Sequence, residues 1–392
     1  MPYNVYLKKN EEKRIKSGHP WVYANEVRCI EPVGDARNGD VATVYDFAGN
    51  YIGKGYINHF SKILVRIFIR DDEEPGPGLF YRRIYEANEY RKKLGFDNCY
   101  RAFFAESDGL PALIVDKYAD VLSVQILSLG MELHREEIFD ALEQVFSPRG
   151  IYERSDTEAR RKEGLELRSG PVSGSFDPRV IIGENGLSMI ADLENGQKTG
   201  YFLDQKENRL ALRRYAKDAD VLDCFCNVGG FSLNAAAGGA RSVIAADISE
   251  KALSDVRENA RLNGYADVIT TECGDVFELL RNYRRDGRQF GLVVLDPPAF
   301  CKSASEAANA YKGYKDINIQ GLKLVKSGGF LATASCSHYM TGQMFERMLH
   351  EAARDSGRTV RMAEVRTQAA DHPALFASEE TTYLKFYVLN VI

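Results

Sequence analysis

The sequence predicts an α/β chain in three parts. A Rossmann-like domain spans residues 181–392, preceded by a small β-barrel (1–74) and a central α+β domain (79–177). Strand-like and helix-like runs alternate after residue 180, which specifies a parallel sheet with helices on both faces. The first seventy residues are short β-rich runs broken by Gly turns, and an acidic Pro/Gly stretch at 71–78 separates them from the central domain. At 392 residues, with 44% apolar content, the chain can fill two or three cores.

Taken in order, residues 41–45, 51–53 and 63–69 are strands by β-branched and aromatic content, with a turn at 46–50. A helix is expected over 80–94, then extended runs at 101–106 and 112–115 around Gly109-Leu110-Pro111. A strand (121–127), a helix (132–146) and a strand (150–153) complete the central module, and the charged, then Gly/Ser/Pro-rich stretch 158–177 reads as a loop. Beyond it the strands are 221–226, 243–247, 268–272, 292–296 and 329–335, and the helices 231–237, 250–263, 276–285 and 317–325. Ligands of such sheets bind beyond the carboxyl ends of the strands.

Charge is uneven. Through Arg70 eleven Lys/Arg face seven Asp/Glu, a net of +4, which leaves −9 of the total −5 to the remainder. A basic small domain joined to an acidic larger one is compatible with RNA handling. Seven cysteines include no Cys-x-x-Cys pair, and Cys224 and Cys226 alternate on a strand, so zinc and iron–sulfur sites are poorly supported and no metal is expected. No apolar run approaches the ~20 residues of a membrane span, and no secretory pattern opens the chain, so free thiols are expected in a reducing cytoplasm.

The first strand after residue 220 ends in Asp223-Cys224-Phe225-Cys226-Asn227-Val228-Gly229-Gly230-Phe231. Paired glycines there let backbone approach a ligand closely at a helix start. Without Gly-x-Gly-x-x-Gly, a dinucleotide loses its main support. Asp247 ends the next strand, where a carboxylate can accept both ribose hydroxyls. Gly274-Asp275-Val276 follows the third, with Asp275 able to accept from an adenine amino group and Val276 to pack on its ring. Each acid alone is equally a helix N-cap. Four at strand ends (Asp223, Asp247, Asp275, Asp296) favour a cationic, phosphate-free cofactor, S-adenosylmethionine.

Leu292-Val293-Val294-Leu295 runs into Asp296-Pro297-Pro298, which offers a carboxylate and carbonyls to the edge of a planar base. Cys336, in Thr333-Ala334-Ser335-Cys336-Ser337-His338, ends the neighbouring strand and can attack such a base from its face. That pairing suits methylation of a pyrimidine carbon. A guanine-N2 or adenine-amino methyltransferase would use Asp296-Pro297-Pro298 without the thiol. A non-catalytic RNA-binding assembly protein and a small-molecule methyltransferase are the other readings. Trp21 is expected in the barrel core, Cys301 as structural, His338 at the surface, and Arg160-Arg161-Lys162 on a solvated face.

Over almost its whole length the chain resembles the bacterial PUA-domain methyltransferases of cytosine C5 in large-subunit (23S) ribosomal RNA. Gly18-His19-Pro20-Trp21-Val22 and Gly53-x-Gly55 match the family's PUA barrel, and Ser107-Asp108-Gly109-Leu110-Pro111 its central domain. Gly196-Gln197-Lys198-Thr199-Gly200-Tyr201-Phe202-Leu203-Asp204-Gln205, Tyr311-Lys312-Gly313-Tyr314-Lys315-Asp316 and Asp371-His372-Pro373 match further segments. The resemblance implies that Cys336 attacks cytosine C6 while Asp296 holds the N3/N4 edge. The cofactor site then comprises Lys198, Thr199, Asp223, Phe225, Asn227, Gly229, Gly230, Phe231, Asp247, Ile248, Asp275, Val276 and Asp296. It also implies ribosomal RNA, naked or pre-assembled, as partner, with the barrel binding RNA. No membrane partner is expected, and a homodimer is among the assemblies left open. A related enzyme class carries a second cysteine directly after Asp-x-Pro. Here Ala299-Phe300 precedes Cys301, which does not match.

Overall fold

A computed structural model describes residues 2–71, 73–301 and 306–392. The chain divides into two compact units. One comprises Met1–Ile182, Ala191–Leu203 and Ala370–Thr381; the other comprises Gly183–Ile190, Asp204–Ala369 and Thr382–Ile392.

The first unit opens with β1 (Tyr3–Leu7), α1 (Glu12–Lys16), β2 (Trp21–Tyr23), β3 (Val27–Pro32), β4 (Val41–Tyr45), β5 (Tyr51–Ile57) and β6 (Ile63–Ile69). These strands form one sheet in the order β2-β6-β5-β4-β1-β3. Val5, Leu7, Val22, Val44, Ile57 and Val65 fill its core. Gly55 lets β5 lie against β6, because a Cβ there would meet the Arg66 carbonyl oxygen at 2.3 Å. Trp21 departs from expectation. It is only half-buried, with its indole N–H donating to Glu106 Oε1 at 2.8 Å and the Arg66 guanidinium 5.7 Å over its ring. A ring that carries a donor settles where an acceptor can reach it, at a core's edge.

Next come α2 (Pro77–Lys93), β7 (Cys99–Phe104), β8 (Leu113–Tyr118), β9 (Val121–Ile126), α3 (Leu129–Leu133), α4 (Arg135–Phe146), β10 (Gly150–Ser155), α5 (Glu158–Arg161) and β11 (Arg168–Gly174). Their sheet runs β11-β10-β9-β8-β7. Tyr56, Phe68 and Ile69 from the barrel share one core with Phe80, Ile84, Phe103, Val124 and Leu142. The stretch 158–177 is not the loop expected. Its β11 pairs antiparallel with β10 from Ser155↔Arg168 to Gly150↔Gly174. Backbone pairing alone makes it a strand, since it is an exposed edge with no apolar alternation. Arg160 likewise leaves the solvated face. It is 1% exposed, with Nη1 donating to Ile126 O at 2.5 Å and to Glu132 Oε2 at 2.8 Å.

The hairpin β12 (Arg179–Glu184) and β13 (Leu187–Asp192) is divided between the units. The second unit continues with α6 (Lys206–Ala216), β14 (Asp220–Cys224), α7 (Gly230–Ala237), β15 (Ser242–Asp247), α8 (Glu250–Leu262), β16 (Ile269–Cys273), α9 (Val276–Arg285), β17 (Phe290–Leu295), α10 (Ala307–Leu324), β18 (Val325–Ser335), α11 (Gly342–Ser356), β19 (Val360–Arg366) and β20 (Lys385–Val391). The sheet order is β16-β15-β14-β17-β18-β20-β19, parallel until β20 enters antiparallel. Strand order reverses between β14 and β17, and at such a switch point the loops diverge and leave a crevice. Ser249, Asp275 and Thr341 cap α8, α9 and α11. α10 begins ten residues before the expected helix, with Ala310, Tyr314, Ile317 and Gly321 turned inward at helical spacing. Among the described residues no helix is long and apolar enough to cross a membrane.

Candidate active site

The carboxyl ends of β14, β15 and β17 bring three carboxylates together. Asp223 stands opposite Ala245 of β15 and Val294 of β17, so it occupies the sheet's centre, and it is fully buried. Its Oδ2 accepts from the Ser232 hydroxyl of α7 at 2.6 Å. Burial pushes its carboxyl up to about 7; Ser232 works against that rise, and the charges of Asp296 and Asp247 add to it.

After β14 the backbone turns back on itself through Phe225, Asn227 and Gly229, with φ of 60°, 49° and 85°. Gly229 is the residue this turn requires, since a Cβ would meet Val256 at 3.1 Å in a left-handed conformation. Asp247 secures the turn. Its Oδ2 accepts from Asn227 N at 3.0 Å and its Oδ1 from Ser249 N at 2.9 Å. Ile248, beside it, is 73% exposed. Asp275 is exposed and accepts from Phe277 N at 2.8 Å, while Val276 is buried. Phe225, Phe277 and Phe300 form a half-buried aromatic trio, with centroids 5.8–6.5 Å apart. Phe231 contributes only backbone to the turn, because its ring stacks on Phe386 at 5.7 Å.

Leu295 pairs with Thr333 across β17 and β18, so Asp296 lies one residue and Cys336 three residues past the last shared pair. Asp296 Oδ1 accepts from Gln205 Nε2 at 2.9 Å. Cys336 is partly exposed, whereas Cys301 is buried in the core. Beside the thiol, the Tyr314 hydroxyl lies 2.9 Å from Ser337 Oγ, and Lys385 Nζ donates to the Ser337 carbonyl at 2.7 Å. His338 is at the surface, as expected.

The second unit therefore collects Asp223, Phe225, Asn227, Gly229, Gly230, Phe231, Asp247, Ile248, Asp275, Val276, Asp296 and Cys336 around one sheet end. Lys198 and Thr199 belong to the first unit. There the Thr199 hydroxyl donates to Asp116 Oδ2 at 2.5 Å, and the Lys198 ammonium lies 4.4 Å over the Phe202 ring. Sequence reasoning missed Gln205, Phe277, Phe300 and Lys385. Gln205 lay inside a quoted motif, and Phe300 directly after Asp-Pro-Pro-Ala.

Residues 160–378, more than half the chain, match the S-adenosylmethionine-dependent methyltransferase family. The chain belongs to that family. Residues 5–70 match a PUA-like domain. A protein of Alteromonas mediterranea named ribosomal RNA large subunit methyltransferase I is 41% identical over 397 residues, covering 100% of this chain and 99% of its own length. A Klebsiella pneumoniae protein of the same name is 40% identical, covering 99% and 98%. Two solved structures share the fold. A candidate SAM-dependent methyltransferase from Streptococcus mutans superposes with a TM-score of 0.85 at 22% identity, covering 99% of this chain and 100% of its own. A candidate methyltransferase complexed with SAH gives 0.86 at 21%, with the same coverage.

A methyltransferase of this family takes S-adenosylmethionine as cofactor, and the residues present fit it. Asp223 Oδ1 is buried, and no donor among the described residues reaches it. A buried acceptor left so is costly unless a ligand supplies a donor or a positive charge. The turn Asn227-Val228-Gly229-Gly230 and the trio of carboxylates supply close backbone approach and negative charge to a molecule that carries a sulfonium, an amine and a ribose.

Proposed function

We propose that this methyltransferase methylates C5 of cytosine in large-subunit ribosomal RNA through a covalent Cys336–C6 adduct. The observation that carries the reading is the placement of Cys336 and Asp296 past the ends of paired strands, beside the carboxylate cluster. Full-length similarity to proteins named for large-subunit ribosomal RNA supports the substrate, and the basic, PUA-like first seventy residues support RNA contact.

Cytosine C5 is a poor nucleophile until C6 is saturated. The Cys336 thiolate adds to C6, forming the S–C6 bond and moving the C5=C6 electron pair to C5. Asp296, oriented by Gln205, faces the N3/N4 edge and stabilises the charge that develops there. When bound, S-adenosylmethionine supplies the electrophilic methyl group that C5 takes. Loss of the C5 proton to a base then restores the C5=C6 bond and expels the thiolate, so Cys336 returns unchanged. A nucleophile that must stay reduced fits a reducing cytoplasm.

RNA carrying 5-fluorocytidine at the target tests this. Fluorine replaces the proton that must leave, so elimination cannot follow methyl transfer and the protein should be trapped. The adduct should survive denaturation, require S-adenosylmethionine and map to Cys336. A fully active Cys336→Ala protein, or an adduct on Cys301, would overturn the reading. Methylation of an exocyclic amino group without an adduct would favour guanine-N2 or adenine chemistry through Asp296-Pro297-Pro298. Absence of any methyl transfer would favour an assembly protein.

A further inference from the structure

We propose that Lys385 is a positioning residue that holds Cys336 as a thiolate, forming an ammonium–thiolate pair across β20 and β18. The inference deepens the nucleophile reading above and rests on it for its meaning in catalysis.

Lys385 opens β20 and pairs with Ser335, the residue before Cys336. Its ammonium turns back along the strand end, donating to the Ser337 carbonyl at 2.7 Å and to the Tyr383 carbonyl at 2.7 Å. These bonds use two of the three N–H groups of an ammonium and fix Nζ beside the residue that follows the thiol. Burial pushes the Lys385 ammonium down to about 8, and negative charge on Cys336 pushes it back up. Among the described residues Cys336 is the one group whose charge acts on it. An amine near 8 beside a thiol whose ordinary value is about 8.5 makes the ion pair competitive with the neutral pair, where an isolated thiol is only a few per cent ionised at pH 7.

Among the described residues, the other groups named around this pair bring no second cation to it. From α10, Tyr314 brings a hydroxyl held near Ser335 and Ser337, and burial pushes it up. Tyr383 gives its hydroxyl to Asp204 Oδ2 at 2.7 Å, and Tyr387 of β20 gives its own to Glu346 of α11 at 2.8 Å. Asp296, one residue past β17, brings a carboxyl group and no positive charge. On β19, Arg366 pairs with Glu364 at 2.8 Å and donates to Asn208 at 2.9 Å. His338 is exposed. Lys385 thus provides the positive charge at the thiol, and it keeps its proton throughout the cycle, because the thiolate that attacks C6 is the thiolate later expelled.

Iodoacetamide alkylation of Cys336 in the full chain, followed by peptide mass spectrometry across pH, tests the proposal without any methylation assay. In the wild-type protein, alkylation should be half-maximal at least half a unit below the ~8.5 of a free thiol. Lys385→Met should raise that midpoint by about one unit and slow alkylation at pH 7 about tenfold, leaving the high-pH plateau unchanged. Lys385→Arg should keep the low midpoint, because the cation remains. A wild-type midpoint at or above 8.5, or an unchanged midpoint in folded Lys385→Met, overturns the proposal. A Lys385→Met chain that fails to fold leaves the wild-type midpoint and the arginine variant to decide. Alkylation reads the thiol directly, so a methylation-competent Cys336→Ala protein would remove the proposed reaction while leaving this measurement intact.

Discussion

The Gln205 side-chain amide donates to Asp296 Oδ1 at 2.9 Å, and Asn208 Nδ2 in turn donates to Gln205 Oε1 at 2.7 Å. Both residues are almost wholly buried, and Arg366 Nε holds Asn208 Oδ1 from the other side at 2.9 Å. The Asp296 carboxylate, which we propose meets the base, is therefore held by a chain of amides reaching it from another segment. Gln205→Ala should remove one charge-assisted bond, roughly 1.5–2 kcal/mol, and lower kcat about ten- to thirtyfold. Calorimetric affinity for S-adenosylmethionine should stay within about twofold. An unchanged kcat would show that Asp296 needs no such support.

Asp247 secures the turn at Asn227, and we propose that it also accepts from the cofactor ribose. Asp247→Ala should weaken S-adenosylmethionine binding ten- to hundredfold, on the order of 2–3 kcal/mol. Because it also frees the amides of Asn227 and Ser249, the cofactor-free protein should melt lower as well. Calorimetry and thermal melts measure both. Undiminished affinity would move the cofactor elsewhere.

Asp223 sets a pH dependence. Its carboxyl stands at about 7 in the folded chain, against roughly 3.9 unfolded. Below about pH 4 both states bind its proton, and the group costs nothing. Between about pH 4 and 7 the folded state binds more protons than the unfolded one, so stability falls as pH rises and then levels. A sulfonium favours the carboxylate, so S-adenosylmethionine affinity should rise from about pH 6 to 8 with release of a proton. Asp223→Asn should flatten that rise. Calorimetry in buffers of different ionisation enthalpy would show the proton, and a flat wild-type profile would refute the linkage.

Removing residues 1–74 is a poor test of RNA affinity, because Tyr56, Phe68 and Ile69 belong to the core that Phe80 and Leu142 also fill. Charge reversal of exposed Lys9, Lys13 and Lys62 is cleaner. The triple Glu variant should keep S-adenosylmethionine binding but bind ribosomal RNA more weakly. Its log K against log salt slope should flatten by roughly 0.7 to 0.9 for each phosphate no longer neutralised. If neither affinity nor slope changes, RNA is held elsewhere.

Cys301→Ala should retain methyl transfer. It removes a small buried side chain from the core to which Tyr314 and Phe345 also belong, at a cost of about 1 kcal/mol in stability. Loss of turnover in the folded variant would give Cys301 a chemical role after all.

The alternation of the second unit and the acids at its strand ends were legible in the sequence for local reasons. Parallel strands buried on both faces read as short apolar runs, and the residue ending each run falls at the sheet's ligand-binding edge whatever the rest of the chain does. Asp223, Asp247, Asp296, Cys336 and the Gly229 turn are all of this kind. Other features depend on partners far along the chain. β11 is a strand only because β10 pairs with it, and Arg160 is buried only because Ile126 and Glu132 lie where its guanidinium ends. Gln205 reaches Asp296 from 91 residues away. Lys385 stands opposite Ser335, the residue before Cys336, because β20 enters the sheet antiparallel beside β18, which no periodicity in either segment announces. Sequence alone determined which residues end the strands. Only the tertiary structure decided which groups from distant segments orient and charge them, because hydrogen bonds and ion pairs depend on positions that strand order and register set.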